Sequence, residues 1–308
     1  MNSIKKTHVL LLVVPTLSSN IAFSQAGESG LAFLKLGISG RGIGMGDAMS
    51  AIVTGPAATY YNPAGILATP GNSTSQLMFM HKEWIQDTRI EFLGSNVLLD
   101  DQNAIGFSLN STTVSDIEIR TRPGPPDATF TARNLLVGAS YARLLEDDLR
   151  IGISGKFLYQ KILTDQSSGY GIDIGAQYKT PIEDLSVGAV VANIGRMSGL
   201  RGETTTLPSL LRIGPAYSFH TTDINSQISI ASDFLYIFPE SKSYLNLGGE
   251  LLFNEIVAAR AGYQFGSEGR GLSGGLGVVY DIVAVDYAYS HLTDDLGNTH
   301  TVSLSLNF

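Results

Sequence analysis

The sequence predicts an all-β transmembrane protein, a closed antiparallel outer-membrane barrel of about fourteen strands preceded by a plug of short helices and turns. Three observations predict it. Mean hydropathy is +0.13 over 308 residues, yet beyond the first two dozen residues no stretch stays apolar for the roughly 18 residues a membrane helix needs. From Ser75 onward, segments of about ten residues alternate in polarity between turn residues, as strands with one face to lipid and one to the lumen must. The chain ends on "THTVSLSLNF", with Val302, Leu304, Leu306 and Phe308 on one face and Thr301, Ser303, Ser305 and Asn307 on the other.

The first element, residues 1–24, reads as a cleaved export signal. Lys5 and Lys6 precede the apolar run "VLLLVVPTL", and Ala22–Ser24 supply small residues at the cleavage positions. The run is short and broken by Pro15, so it does not read as an anchor, and with no cysteine in the chain no lipid can be attached there.

Residues 25–74 do not follow the strand pattern. They hold "GISGRGIGMGDA", whose glycines suggest a phosphate loop until the spacing is checked. Gly40, Gly42, Gly44 and Gly46 are strictly alternate, Met45 stands where a third fingerprint glycine belongs, and no Lys follows before Lys82. Such glycines serve instead to let backbone pack against backbone. Asp47 is placed to cap a short helix over "DAMSAIV", Gly55-Pro56 breaks and restarts the chain, and Asn62-Pro63 marks a turn.

Strands then follow from near Ser75, Thr88, Asn103, Thr129, Leu149, Ser168, Asp184, Pro208, Asn225, Ser243, Glu255, Leu272, Val283 and Thr299. In "GYGIDIGAQYK", Tyr170, Ile172, Ile174, Ala176 and Tyr178 face lipid, and Gly171, Asp173, Gly175, Gln177 and Lys179 face inward. Tight turns at Asp100, Glu146 and Phe253 assign the inner end of the barrel. The longest connections, from Thr121, Gly195 and Thr293, assign the outer end. Tyr159, Tyr178 and Tyr289 suit the interfacial girdles.

Other chemistry is set aside on stated grounds. A net charge of -8 argues against a nucleic-acid partner. Ser290, His291, His300, Asp294 and Asp295 gather near the last hairpin without a nucleophile motif, so no catalysis is expected. "TDDLGN" from Thr293 lacks the spacing of a calcium loop and reads as turn chemistry; no metal and no cofactor are expected. Asp173, Lys156 and Asp286 are expected to hydrate or brace the lumen.

"FLKLGISGRGIGMGDAMSAI" from Phe33, followed by "ATYYNPAGI" from Ala58, resembles the amino-terminal signature of the PorV/PorQ family, within the wider FadL-like group of outer-membrane barrels. The resemblance covers about forty residues and implies a fourteen-stranded barrel behind a plug with an Asn-Pro-Ala element. Gly42, Gly46, Asp47, Asn62, Pro63, Ala64 and Gly65 match as structural plug residues, and Leu304, Leu306 and Phe308 are similar to the terminal signal read by the barrel assembly machinery. It implies two functions. A PorV/PorQ-like protein serves type IX secretion, meeting secreted cargo and attachment-complex subunits with its outer loops. A FadL-like protein passes hydrophobic small molecules through the barrel wall past the plug. A proline or bulge in one strand beside an apolar lumen pocket favours the second; an apolar loop rim favours the first. "RMSGLRGETTTLPSLL" is where either is expected.

Overall fold

A computed structural model describes residues 29–68, 73–200, 205–222, 225–267, 269–293 and 296–308. The expected export signal therefore lies outside the described residues, as do Asp294 and Asp295. Fourteen strands close into one antiparallel barrel in which each pairs with its sequence neighbours and β1 with β14. They are β1 (Ser75–Glu83), β2 (Thr88–Leu98), β3 (Asn103–Ile119), β4 (Ala128–Glu146), β5 (Leu149–Ile162), β6 (Asp165–Lys179) and β7 (Leu185–Met197). The second half comprises β8 (Leu210–Thr221), β9 (Ser226–Ile237), β10 (Lys242–Phe253), β11 (Val257–Phe265), β12 (Leu272–Tyr280), β13 (Val283–His291) and β14 (Asn298–Asn307). The largest departure from expectation is β6, expected from Ser168 and found from Asp165.

Alternation sets the faces. Along β6, Tyr170, Ile172, Ile174 and Tyr178 are exposed to the lipid side, while Gly171, Asp173, Gly175 and Gln177 are buried inward. β14 repeats this with Val302 and Leu304 outward and Thr301 and Ser303 inward. β1 and β2 depart from an all-polar lumen: Met78, Met80, Ile90 and Phe92 point inward and form the barrel core with Ile38, Met45, Met49 and Tyr61 of the plug. Inner turns are as short as 147–148 and 281–282; outer connections run to 120–127 and 198–209, the latter beginning after Gly195–Met197, which complete β7.

Closure depends on the last residue. The Phe308 N–H donates to the Ser75 carbonyl (2.8 Å), and its own carbonyl accepts from Thr74 (2.7 Å) and Ser75 (3.1 Å). Deleting Phe308 removes these bonds where the first and last strands meet. We predict less folded, heat-modifiable barrel in the membrane fraction; unchanged assembly would refute this role for the terminus.

The plug fills the lumen with two short helices, α1 (Gly40–Gly44) and α2 (Ala58–Tyr61), and three 3-10 turns, Ala32–Lys35, Gly55–Ala57 and Pro63–Leu67. Gly46 has φ +62°, and a Cβ there would stand 2.8 Å from both the Leu247 carbonyl oxygen and the Tyr263 nitrogen of the wall. The wall answers with its own glycines. Gly275 lies against Gly44, Gly248 and Gly262 against Met45 and Gly46, and Gly152, Gly175 and Gly188 against Ala64, Asn62 and Ser50. Plug backbone thus meets barrel backbone on β5, β7, β10, β11 and β12 with no side chain between them, while Gly175 on β6 makes room for the Asn62 side chain.

Candidate functional site

The plug is latched to the wall by charge. Ser39 caps α1, its Oγ accepting from the Gly42 N–H (3.0 Å), and the Gly40 N–H donates to Ser303 Oγ (3.1 Å). Arg41 on α1 makes two bonds to Glu250 (3.0 and 2.8 Å). Glu250 also accepts from Arg260, which donates to Asp286 (2.7 Å). On the other side of the plug, the Met49 and Ser50 N–H groups donate to Asp233 of β9 (2.8 and 2.9 Å), joined by the Ser50 hydroxyl.

Asp47 corrects an expectation. It caps no helix: it follows α1 in a left-handed conformation (φ +62°), and residues 48–53 hold only a turn at 50–52. Its carboxylate accepts from the Tyr61 hydroxyl (2.6 Å) and from Arg270 (2.7 Å), tying α1 to α2 and to the outer connection 266–271. Burial alone would raise this carboxyl, but the Arg270 guanidinium and the Tyr61 hydroxyl outweigh it and hold it below the ordinary carboxylate range. Because the folded value is depressed, this contribution is complete above the unfolded value near pH 4 and is lost as pH falls through the folded one. We predict that the plug of Asp47→Asn loses less protease resistance than the wild type between pH 5 and pH 3. An undiminished acid loss would exclude Asp47 as the titrating group.

The Asn-Pro-Ala element is a second anchor. Asn62 Nδ2 donates to the Ser50 and Ala176 carbonyls (2.8 and 3.0 Å), and its Oδ1 accepts from the Ala64 N–H (3.2 Å), capping Pro63–Leu67. Gly65 follows against the Val53 carbonyl. Each plug residue singled out by sequence therefore lies in the lumen, yet the groups that receive them went unnoticed. Asp233, Glu250, Arg260 and the wall glycines carry one signal, charge or glycine at inward positions of alternating strands, whereas Arg41 and Tyr61 belong to the plug helices and carry none. Asp173, Lys156 and Asp286 all point inward and all form ion pairs. Ser290 is buried inward while His291, the next residue on the strand, is exposed outward, so the two cannot act together.

The wall is interrupted beside the plug. β7 pairs with β8 only over Leu185–Ala192; Ile194–Met197 continue on β6 alone, with no strand on the other side among the described residues. The break begins at Asn193, where φ is +59° and the β6–β7 register shifts. The distortion is held in place: the Asn193 N–H donates to Asp173 (2.7 Å), Lys156 donates to Asn193 Oδ1 (3.0 Å), and Asn193 Nδ2 donates to the Pro208 carbonyl (3.2 Å). Further along, Pro215 brings no N–H to the β8–β9 ladder, which skips Gly214 and Pro215 before resuming at Ala216.

Apolar residues flank this seam on both faces. Inside, Leu31, Phe33, Leu34, Leu136, Leu158, Met197 and Leu207 form a buried cluster, joined to the outer connection where the Gly30 N–H donates to the Thr206 carbonyl (3.0 Å). Outside, a groove of about 570 Å³ runs over Ile153, Ile174, Ala176, Ala189, Val191 and Leu211. Below the cluster, Tyr60 and Tyr61 meet edge to face (5.3 Å) between Lys156 and Arg212, around a cavity of only about 10 Å³. At the inner end, a vestibule of about 500 Å³ between plug and wall is lined by Arg41, Met78, Glu250, Arg260 and Asn307. The plug stands between the seam and the inner vestibule.

No protein-family model and no curated protein matches the chain. Solved structures do. The CymD monoaromatic hydrocarbon channel aligns at TM-score 0.64 and 14% identity over 88% of this chain and 98% of that one. The toluene transporter TodX of Pseudomonas putida aligns at 0.63 and 15% over the same shares. A FadL homologue of Pseudomonas aeruginosa gives 0.52 and 12%, again over 88% and 98%. At these identities the likeness is one of fold, and the chain has the fourteen-stranded, plugged barrel fold of these FadL-like outer-membrane proteins.

Proposed function

We propose that the protein is an outer-membrane channel for small hydrophobic molecules, which enter sideways at the β7–β8 seam and leave through the inner vestibule when the plug yields. The observation that carries this reading is the seam itself: a strand distorted at Asn193 and, among the described residues, without a partner on its β8 side beyond it, beside the apolar cluster of Phe33, Leu136, Leu158, Met197 and Leu207. A solute leaving the outer leaflet there exchanges one apolar surrounding for another, so no desolvation step opposes entry. Hydrocarbon channels among the proteins of like fold add support. The test is uptake of radiolabelled toluene by cells whose outer membrane carries the chain. Uptake faster than in cells without it, and slowed when Met197→Arg places a charge in the cluster, is expected. Rates equal to those of control cells would end the proposal.

A second reading, a PorV/PorQ-like component of type IX secretion or surface attachment, is favoured by the plug residues from Phe33 to Ile66 and their resemblance. The outer rim offers little to it, since exposed apolar residues there, Leu163, Phe238 and Leu296, stand singly on separate turns. Secreted proteins with a common carboxy-terminal domain co-purifying with the barrel would favour this reading over transport.

A further inference from the structure

Across the barrel from the seam, the outer halves of β12, β13, β14 and β1 carry a row of inward polar residues that the passage does not use. Register places Ser273 opposite Ser290 and Ser290 opposite Thr299, with Thr301 opposite Lys82 one step further in. All five are buried, and Lys82 is 0% exposed. Among the described residues, the Lys82 ammonium and the hydroxyls of Ser273, Thr299 and Thr301 have no hydrogen-bond partner. The Lys82 Nζ lies 4.4 Å from the centre of the Trp84 ring. Arg270 lies 5.9 Å from the same ring and is paired to Asp47.

Such a set asks for an anion. An ammonium buried without an acceptor is among the costliest groups a protein can hold. Arg270 and Asp47, the charged groups acting on Lys82, are paired with each other, so the Asp47 carboxylate is not the lysine's own partner. Thr301 stands directly opposite Lys82 with Thr299 two residues nearer the outer rim, so both free hydroxyls can turn their hydrogens toward the acceptor that the ammonium lacks, whereas a metal cation would find no cluster of carboxylates among the described residues. We propose that Lys82, Thr301 and Thr299 bind one compact anion on the outer side of the plug, a halide or a carboxylate of acetate size. The site stands apart from the seam, so it holds or fails independently of the transport reading.

Trp84 is the only tryptophan in the chain, which makes its fluorescence a direct reporter. The full-length barrel, purified in detergent with gluconate as the counterion, is titrated with sodium bromide at constant ionic strength. Quenching that saturates and is reversed by chloride is expected. Lys82→Met should weaken it about tenfold or more, a typical worth for hydrogen bonds to a charged group. Thr301→Val keeps the strand and the lysine while removing one donor, and should weaken it as well. Competition by acetate extends the site to carboxylates, and its absence restricts the site to halides. Quenching linear in bromide, with the same slope in Lys82→Met and Thr301→Val, overturns the proposal.

Discussion

Gly46→Val should release the plug from the wall while leaving the barrel closed. Two costs coincide at this position. The backbone is left-handed (φ +62°), a conformation that opposes any Cβ and a branched one most strongly. The new Cβ would also press on the Leu247 carbonyl and the Tyr263 nitrogen at 2.8 Å, both fixed in the β10–β11 ladder. Left-handed strain and overpacking together amount to about 2–5 kcal/mol. That cost falls on the plug, because the strands keep every ladder bond. Added protease should then cut the variant within residues 29–68 while the barrel keeps its heat-modifiable gel shift. Gly249→Val is the control. A Cβ there meets nothing within 4 Å, and valine suits a strand, so that variant should match the wild type. Gly42→Val should follow Gly46→Val, since its Cβ would stand 2.5 Å from the Tyr61 hydroxyl. A Gly46→Val plug as resistant as the wild type would mean that backbone contact with β10 and β11 does not hold it.

The strands were legible because lipid on one side and a filled lumen on the other force a period of two onto every segment that crosses. That constraint is local, so a ten-residue window carries it. The plug obeys no such period. Its order comes from contacts between residues far apart in sequence, Arg41 with Glu250, Asp47 with Arg270, and Met49 with Asp233, and no local pattern announces the partner. Asp47 shows the difference. An aspartate before an apolar run has the local look of a helix cap, but here the buried Tyr61 hydroxyl and the Arg270 guanidinium compete for the carboxylate and win. The wall glycines were visible as residues, and Gly175 was assigned inward. What stayed hidden was that the plug meets the wall opposite so many of them. The seam was half legible: its segment was singled out, while the distortion at Asn193 depends on Asp173 and Lys156, which lie on β6 and β5.

Lys156→Met should cost more than any other single change at the seam, and a second substitution should recover most of the loss. Lys156 and Asp173 pair at 2.5 Å with side chains 4% and 0% exposed. Removing the lysine leaves Asp173 charged inside the barrel with one neutral donor, the Asn193 N–H. Breaking a buried pair in this way costs about 3–5 kcal/mol, whereas replacing both partners by uncharged groups of similar size costs far less. Lys156→Met with Asp173→Asn should therefore stand close to the wild type, because the asparagine oxygen still accepts from Asn193 and preserves the distortion in β7. The two outcomes separate charge from shape. In the single variant, thermal stability should fall and amide exchange should rise along β6 and β7, with the β1–β2 side unaffected. In the double variant both should return, and toluene uptake with them, since the seam needs the bent strand and not the ion pair. A double variant no more stable than the single would show that the charges themselves hold β7 open beside the plug.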